Sequence, residues 1–245
     1  MSKRQEIRAR RQRAKLRNRT LVIGLVALVA IAFVALLVLP GLLPQKAVTL
    51  TPIAPRPTSV AMNQTSIGNP AATVKIDAWE DFQCSGCEYY TKDIELQIMT
   101  NYVETGKVLY TYHFYPFIDQ GSPTQESHQS ANAAMCAAAQ GRFWDYHDML
   151  FANWQGENLG GFADNRLVAM AQSLKLDMTA FNQCFQAKTY AAQIEQDYQA
   201  GQAMGVTSTP AVFVDGQTVV SKAGAQMIPS YDEFAAALDA ALAAH

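Results

Sequence analysis

The feature that most constrains this chain is a pair of cysteines, Cys84 and Cys87, between a predicted strand and a predicted helix. Residues 73–79 are rich in β-branched and apolar side chains, and residues 88–102 have helical spacing. Cysteines with this spacing at a helix start lie on one face, close enough to form a disulfide. The unpaired N–H groups and positive dipole end of the helix favour a thiolate on the outer cysteine. The pattern therefore predicts a redox-active dithiol rather than a simple crosslink.

The N-terminus predicts a membrane anchor. Residues 1–20 form a basic tail with nine Lys and Arg residues and one acid, and residues 21–39 are uncharged and almost wholly apolar. A helix of that length spans roughly 28 Å, close to the roughly 30 Å of a bilayer core. Because basic flanks stay cytoplasmic, we expect the rest of the chain on the extracytoplasmic face. An uncleaved anchor is favoured over a cleaved signal, which would have a shorter apolar run and a small-x-small site; Arg10-Arg11 leaves a twin-arginine signal as a further alternative.

The charge of the exported part argues against nucleic acid as a partner. The chain has 19 basic and 21 acidic residues, and those after the tail keep 10 basic and 20 acidic ones, a net charge of about −10. Such a domain lacks the basic surface that nucleic acid requires. Residues 40–65 contain several prolines and are expected to form an extended tether. Residues 66–245 have the length of one domain.

Hydrophobic patterns in this domain predict the order β-α-β, a helical block, and then β-β-α. Strands are predicted at residues 73–79, 108–114, 211–214 and 218–220, with a hairpin turn at Asp215-Gly216. Helices are predicted at residues 84–102, 131–140, 143–151, 165–174, 178–186, 189–204 and 232–242. Asp177 is a predicted N-cap, and Ser230 with Glu233 forms a predicted capping box.

Three blocks of the sequence resemble the DsbA family of thiol–disulfide oxidoreductases. The blocks are Ile67-Gly68-Asn69-Pro70-Ala71 through Trp79-Glu80-Asp81-Phe82-Gln83-Cys84 to Cys87, then Cys136-Ala137 with residues 140–148 and Leu150-Phe151, and finally residues 208–216. They occur in the family's order and span about residues 66–245. The resemblance implies an α/β, thioredoxin-like fold interrupted by an inserted α-helical domain at about residues 122–205. In this chain one N-terminal transmembrane helix would precede that fold.

The resemblance also implies disulfide exchange at the dithiol. Cys84 is expected to attack and Cys87 to resolve the mixed disulfide. Pro210 is expected to be cis and to lie beside the dithiol, with the backbone of Thr209 pairing with an extended substrate segment. The reactive group is the Cys84–Cys87 disulfide itself, so no metal and no organic cofactor is expected. A zinc knuckle lacks its second ligand pair, and a c-type haem site would need histidine where Glu88 stands.

The other two cysteines, Cys136 and Cys184, each lie in a predicted helix of the insert. In an oxidising compartment an even cysteine count favours pairing, so we expect a structural disulfide. Two buried free thiols and a second redox pair are the alternatives. Aromatic residues of the insert are expected to form its core, and His147 to be a surface or packing residue.

Two departures from the family pattern affect the chemistry. Thioredoxin-like enzymes carry a buried acid six positions before the first cysteine, where this chain has Ala78. Proton transfer is therefore assigned to Glu80, Asp81 or water. Strongly oxidising members often have proline and histidine between the cysteines, where this chain has Ser85-Gly86. The pKa of Cys84 is then expected to be lowered less, and the direction of electron flow stays open.

These expectations together describe a thiol–disulfide oxidoreductase of bacterial type, most simply an oxidase that donates disulfides to exported or membrane proteins. Residues 21–39 would hold it in the cytoplasmic membrane as a single-pass protein with its N-terminus inside. The family implies a quinone-reducing membrane partner, similar to DsbB or to VKOR, for reoxidation. The alternatives are a reductase or isomerase of the same fold, and a non-catalytic binding module or chaperone.

Overall fold

The computed structural model describes residues 19, 21–34, 48–54, 56, 60–224 and 227–245, and the chain divides into two compact units, Met1–Ala47 and Val48–His245. In the first unit residues 21–34 are helical. Among the described residues, none of the helices has both the length and the apolar character needed to cross a membrane. The predicted anchor at 21–39 lies outside the described residues from position 35 onward, as does nearly all of the basic tail.

A six-stranded sheet forms the centre of the second unit. In chain order its strands are β1 (Met62–Asn63), β2 (Ser66–Gly68), β3 (Val74–Glu80), β4 (Val108–Phe114), β5 (Ala211–Val214) and β6 (Gln217–Thr218). Their spatial order is β1-β2-β4-β3-β5-β6, with β3 and β4 parallel and the other neighbours antiparallel. The dithiol therefore follows the end of a strand that is paired on both sides.

The predicted strands at 73–79, 108–114 and 211–214 correspond to β3, β4 and β5, and the strand predicted at 218–220 is reduced to β6. Strands β1 and β2 are absent from the prediction, because two or three residues have too few apolar positions to show a period. Strand β1 lies within the C-terminal end of the predicted tether and β2 directly follows it, so the end of the predicted tether is part of the sheet.

The described part of the extended tether predicted at 40–65 packs on the domain. From Val48 onward the chain belongs to the compact unit. Thr51 N donates to Asn153 Oδ1 at 2.7 Å, and Asn153 Nδ2 donates to Thr51 O at 3.0 Å. Apolar side chains explain the docking, because Leu50 and Ile53 pack on the core and Val60 is buried within it.

Helix α1 starts at the dithiol and runs over residues 85–103. It is α-helical at Ser85–Tyr89 and Leu96–Ile98 and π-helical at Tyr90–Glu95 and Met99–Val103. Its first π-helical part buries Tyr90, Ile94 and Glu95 together. A wider turn of this kind is frequent at functional sites, and helical spacing in the sequence does not reveal it.

Between β4 and β5, a part of the chain that is described throughout, five helices form the insert. They are α2 (Glu126–Ala138), α3 (Phe143–Ala152), α4 (Asp164–Ser173), α5 (Met178–Gln186) and α6 (Ala191–Ala203), and the chain ends with α7 (Tyr231–Ala244). Helix α2 begins five residues before the predicted 131. Asp177 caps α5 and the Ser230–Glu233 capping box precedes α7, as predicted.

A disulfide joins two helices of the insert. Cys136 in α2 and Cys184 in α5 are bonded, with their Cα atoms 5.8 Å apart. Around them the insert has an aromatic core in which Trp144 and Tyr146 are fully buried. His147 is buried as well, which makes it an interior residue rather than a surface one.

A histidine on strand β4 lies between two acidic residues. His113 on β4 stacks on Trp79 with ring centroids 4.3 Å apart. Its Nε2 lies 2.9 Å from Asp77 Oδ1, and its Nδ1 lies 3.8 Å from Asp197 Oδ1 on α6. Burial opposes the imidazolium, but hydrogen bonds with Asp197 and Asp77 outweigh it and raise the pKa of His113 to about 9. This charged contact fastens α6 to the sheet.

Candidate active site

The two thiols lie at the N-terminal end of α1 and are not bonded to each other. Cys84 occupies the N-cap position in an extended conformation, and Cys87 lies within the first turn. Cys84 is 6% exposed and Cys87 is fully buried. The outer sulfur is therefore the one that a second protein can reach.

The surroundings move the pKa values of the two thiols in opposite directions. The Cys87 side chain donates a hydrogen bond to the Cys84 sulfur, and this lowers the pKa of Cys84 to about 6. Burial opposes the shift, while Thr209 and the N–H groups of Cys87 and Gly86 add to it. The pKa of Cys87 is raised well above its ordinary value, first by burial and then by its hydrogen bond to Cys84. At neutral pH the pair is thus one thiolate and one thiol.

The loop before β5 covers the dithiol. The Thr209–Pro210 peptide bond is cis. Cys84 Sγ lies 3.4 Å from Thr209 O, to which it can donate when it is protonated. The Thr209 hydroxyl is buried with no other hydrogen-bond partner among the described residues, and its interaction with the Cys84 sulfur lowers the pKa of Cys84. The structure thus brings together Cys84, Thr209 and Pro210, three residues that the sequence analysis placed at one site.

Gly86 lets the loop and the helix approach each other. A Cβ atom at this position would lie 3.2 Å from Pro210 Cδ and 3.3 Å from Ile228 Cδ1. Either contact is tighter than ordinary van der Waals distance. The residue between the cysteines is therefore glycine for a packing reason, in addition to the backbone freedom that the sequence suggests.

Glu80 lies at the end of β3, behind Cys87. It is 1% exposed, and its Oε1 accepts a hydrogen bond from Tyr110 OH at 3.2 Å. Burial and the negative charge of Glu95 raise the pKa of Glu80 well above its ordinary value, although its hydrogen bonds with Tyr110 and Cys87 lower it. Ala78, which occupies the family's position for the buried acid, is on the same face of β3 two residues earlier. The buried acid of this chain is therefore two residues nearer to the dithiol than in the family pattern. A protonated carboxyl group beside Cys87 can exchange a proton with it.

Asp81 is also buried, but its hydrogen bonds connect the loop before α1 to the insert and to the segment after β4. Its Oδ2 accepts hydrogen bonds from Ile118 N at 3.0 Å and from Ser127 Oγ at 2.9 Å, and its Oδ1 accepts from Gln83 N at 2.9 Å. Burial raises the pKa of Asp81 to about 7 against these hydrogen bonds. Of the two acids proposed for proton transfer, Glu80 contacts Cys87, and Asp81 holds the loop before α1.

Sequence comparison now places the chain in a family. The model of the family described as thioredoxin matches residues 61–240. The chain belongs to the thioredoxin family. Its relatives include the probable disulfide bond formation protein D of Bacillus cereus (strain ATCC 14579), 23% identical over 62% of this chain and 70% of that protein. The disulfide bond formation protein D of Bacillus subtilis (strain 168) is also 23% identical, over 64% of this chain and 69% of that protein.

Comparison of structures extends this result to the insert. The chain superposes on oxidised BdbD from Bacillus subtilis with a TM-score of 0.65 and 22% identity, over 74% of this chain and 93% of that chain. It also superposes on α-DsbA1 from Wolbachia pipientis with a TM-score of 0.60 and 21% identity, over 74% of this chain and 92% of that chain. The α/β, thioredoxin-like fold with a helical insert is confirmed, and the chain is similar to DsbA-like thiol–disulfide oxidoreductases, as the sequence blocks predicted.

Sequence analysis of this thioredoxin-family member missed Gln83, the residue before the dithiol. Gln83 is fully buried. Its Nε2 donates to Asp119 Oδ1 at 3.0 Å and to Ser127 Oγ at 2.9 Å, while its Oε1 accepts from Asn158 N at 2.7 Å. A polar residue between Phe82 and Cys84 gave a weak signal of this role. Gln83 joins the dithiol loop to the insert, so the insert positions the reactive sulfur.

Proposed function

We propose that this protein oxidises pairs of thiols in exported or membrane proteins, with Cys84 as the exchanging sulfur and Cys87 as the resolving thiol. The main support is that the pKa values of the two neighbouring thiols are shifted in opposite directions. The pKa of Cys84 is lowered to about 6, and the pKa of Cys87 is raised. A stabilised thiolate favours the reduced form of the protein, and this makes the oxidised form a stronger oxidant. The low pKa of Cys84 therefore favours an oxidase over a reductase, even with serine and glycine between the cysteines.

The proposed reaction starts from the Cys84–Cys87 disulfide. A client thiolate attacks Cys84 Sγ, the Cys84–Cys87 bond breaks, and Cys87 leaves and takes up a proton, for which Glu80 is the nearby donor. A second client thiolate then attacks the client sulfur of the mixed disulfide and releases Cys84 as a thiolate. The client loses two electrons and gains a disulfide, and the protein dithiol receives those electrons. The redox-active disulfide is the only reactive group that this scheme requires.

The client is proposed to bind as an extended chain along the loop that contains Thr209 and Pro210. A cleft of about 190 Å³ lies beside this loop, and Val220 and Met227 on its border are 58% and 60% exposed. Exposed apolar side chains suit an unfolded polypeptide better than a small polar molecule. The Thr209 backbone would pair with the client next to Cys84.

We further propose that residues 21–39 anchor the protein in the bacterial cytoplasmic membrane, with the catalytic domain on the extracytoplasmic face. The basic tail and the apolar run that follows it support this orientation. Reoxidation of the dithiol would then fall to a quinone-reducing membrane protein similar to DsbB or VKOR. Membrane fractionation, with protease treatment of intact cells, tests the arrangement, and a domain protected inside the cytoplasm would contradict it.

The direction of electron flow is tested by the equilibrium of the full-length chain with glutathione. A reduction potential near about −120 mV supports the oxidase, and one near about −270 mV assigns a reductase. Cys84→Ser should abolish oxidation of a dithiol peptide. Its matched variant Cys87→Ser, mixed with oxidised glutathione, should accumulate a mixed disulfide at Cys84, because the Cys84 thiolate attacks that disulfide and no Cys87 thiol is left to release it. Cellular activity that survives Cys84→Ser would indicate a binding module or chaperone instead of an enzyme.

A further inference from the structure

Behind the dithiol lies a second group of buried charged side chains, which we call the acid–histidine cluster. It consists of Glu95 from α1, His147 and Asp148 from α3, and Arg56 from the segment before β1. The side chains of Glu95 and His147 are 1% and 0% exposed, and that of Arg56 is 16% exposed. Arg56 and Asp148 are 92 positions apart in the chain, so no local sequence motif predicts the cluster.

Arg56 binds the cluster with a geometry that needs its planar guanidinium. Its Nε donates to Asp148 Oδ2 at 2.7 Å, and its Nη2 donates to Asp148 Oδ1 at 2.5 Å. The same Nη2 lies 3.5 Å from Glu95 Oε1. The guanidinium also stacks over the Trp144 ring, 4.9 Å from its centroid. Lysine could supply the charge but not the two-pronged contact.

Glu95 is the member of the cluster that faces the dithiol side. Thr91 Oγ1 donates to Glu95 Oε2 at 3.2 Å, and His147 Nε2 lies 3.7 Å from the same oxygen. His147 Nδ1 lies 3.0 Å from Asp148 Oδ1. Burial raises the pKa of Glu95 above its ordinary value and the charge of Asp148 adds to the rise, while His147, Arg56 and the hydrogen bond from Thr91 oppose it. These partners favour the ionised form of a carboxyl group that burial would otherwise keep neutral.

The charge on Glu95 acts in turn on Glu80. After burial, the negative charge of Glu95 is the largest contribution that raises the pKa of Glu80. Two buried carboxyl groups that repel each other do not readily ionise together, and Glu95 is the one that has a guanidinium 3.5 Å away, that of Arg56. Glu80 therefore holds the proton. The titratable groups facing Glu80 are Tyr110 and Tyr112 from β4, and Tyr90, Cys84, Cys87 and Glu95 from α1.

We propose that Arg56 is a positioning residue for disulfide exchange, acting through the acid–histidine cluster on the carboxyl group of Glu80. The inference rests on the proposed function. It makes Arg56 part of the redox site: the ion pairs of Arg56 with Asp148 and Glu95 keep the charge on Glu95, and Glu80 keeps the proton that the leaving Cys87 thiolate takes up. Without the Arg56 guanidinium, Glu95 would take up a proton and Glu80 would become the stronger acid.

The test is the pH profile for reduction of the oxidised full-length protein by a dithiol peptide, corrected for the thiolate fraction of the peptide. The wild-type rate should fall at high pH, where Glu80 loses its proton, and Glu80→Gln should remove that fall. Arg56→Gln should move the fall to lower pH by about one unit, the order expected for a nearby charge in a protein interior. Glu95→Gln should produce the same shift, and the double variant should shift no further.

Two further variants separate positioning from folding stability. Arg56→Lys should restore part of the profile, because it keeps the charge. Arg142→Gln removes an arginine that pairs with Asp145 on the insert surface, and it should leave the profile in place. Arg56→Gln and Glu95→Gln proteins that melt at lower temperature with an unshifted profile would overturn the inference. A wild-type protein that exchanges no disulfides would instead overturn the proposed function.

Discussion

Replacing Cys87 with alanine should raise the pKa of Cys84, and replacing it with serine should leave that pKa low. The Cys87 thiol is the largest cause of the shift that brings the pKa of Cys84 to about 6, because it donates a hydrogen bond to the thiolate. A hydrogen bond to a charged group contributes about 1.5–3 kcal/mol. That energy corresponds to roughly one to two pKa units. We therefore expect a pKa between about 7 and about 8 in Cys87→Ala.

The assay is the rate of alkylation of Cys84 by iodoacetamide as a function of pH, because only the thiolate reacts. With Cys136 and Cys184 bonded, Cys84 is the one free thiol left in either variant. Cys87→Ser retains a hydroxyl donor and serves as the matched control. An unchanged pKa in Cys87→Ala would refute the reasoning. The low pKa of Cys84 would then be caused by the helix N–H groups and by Thr209.

Three other perturbations test the structure around the site. The raised pKa of His113 stabilises the fold below pH 6.5, and this contribution is lost as pH rises through about 9; it amounts to at most about 3 kcal/mol. Urea unfolding of the oxidised protein should show that loss, and His113→Gln should flatten it. The double variant Cys136→Ala/Cys184→Ala should lose about 4 kcal/mol of unfolding free energy. A change in the reduction potential of the Cys84–Cys87 pair, measured against glutathione, would contradict a purely structural role for the Cys136–Cys184 disulfide. Gly86→Val should slow peptide oxidation by up to about a hundredfold by pushing Pro210 away, and Gly86→Ala much less; equal rates for both would show that the close approach is unimportant.

Local sequence was sufficient for the elements that support the dithiol. Strands β3, β4 and β5 carry dense β-branched and aromatic residues, and the helix after Cys84 has a clear apolar period, so each could be predicted nearly to its ends. The hairpin turn at Asp215-Gly216 has positive φ at both residues, as its composition predicts. The cis bond before Pro210 could be expected only through the family resemblance, since a single proline carries no such signal.

The sequence by itself determined the reactive group, its place at a helix start, and the order of strands and helices, because these depend on residues that are neighbours in the chain. Tertiary structure alone decided which acid lies beside the dithiol. Glu80 and Asp81 are adjacent, yet one faces Cys87 and the other binds the insert, since successive side chains at a strand end point in opposite directions. It also decided that Arg56 docks beside Glu95. Charges that meet across long separations in the chain acquire their pKa values only from burial and from each other, and both are properties of the folded molecule.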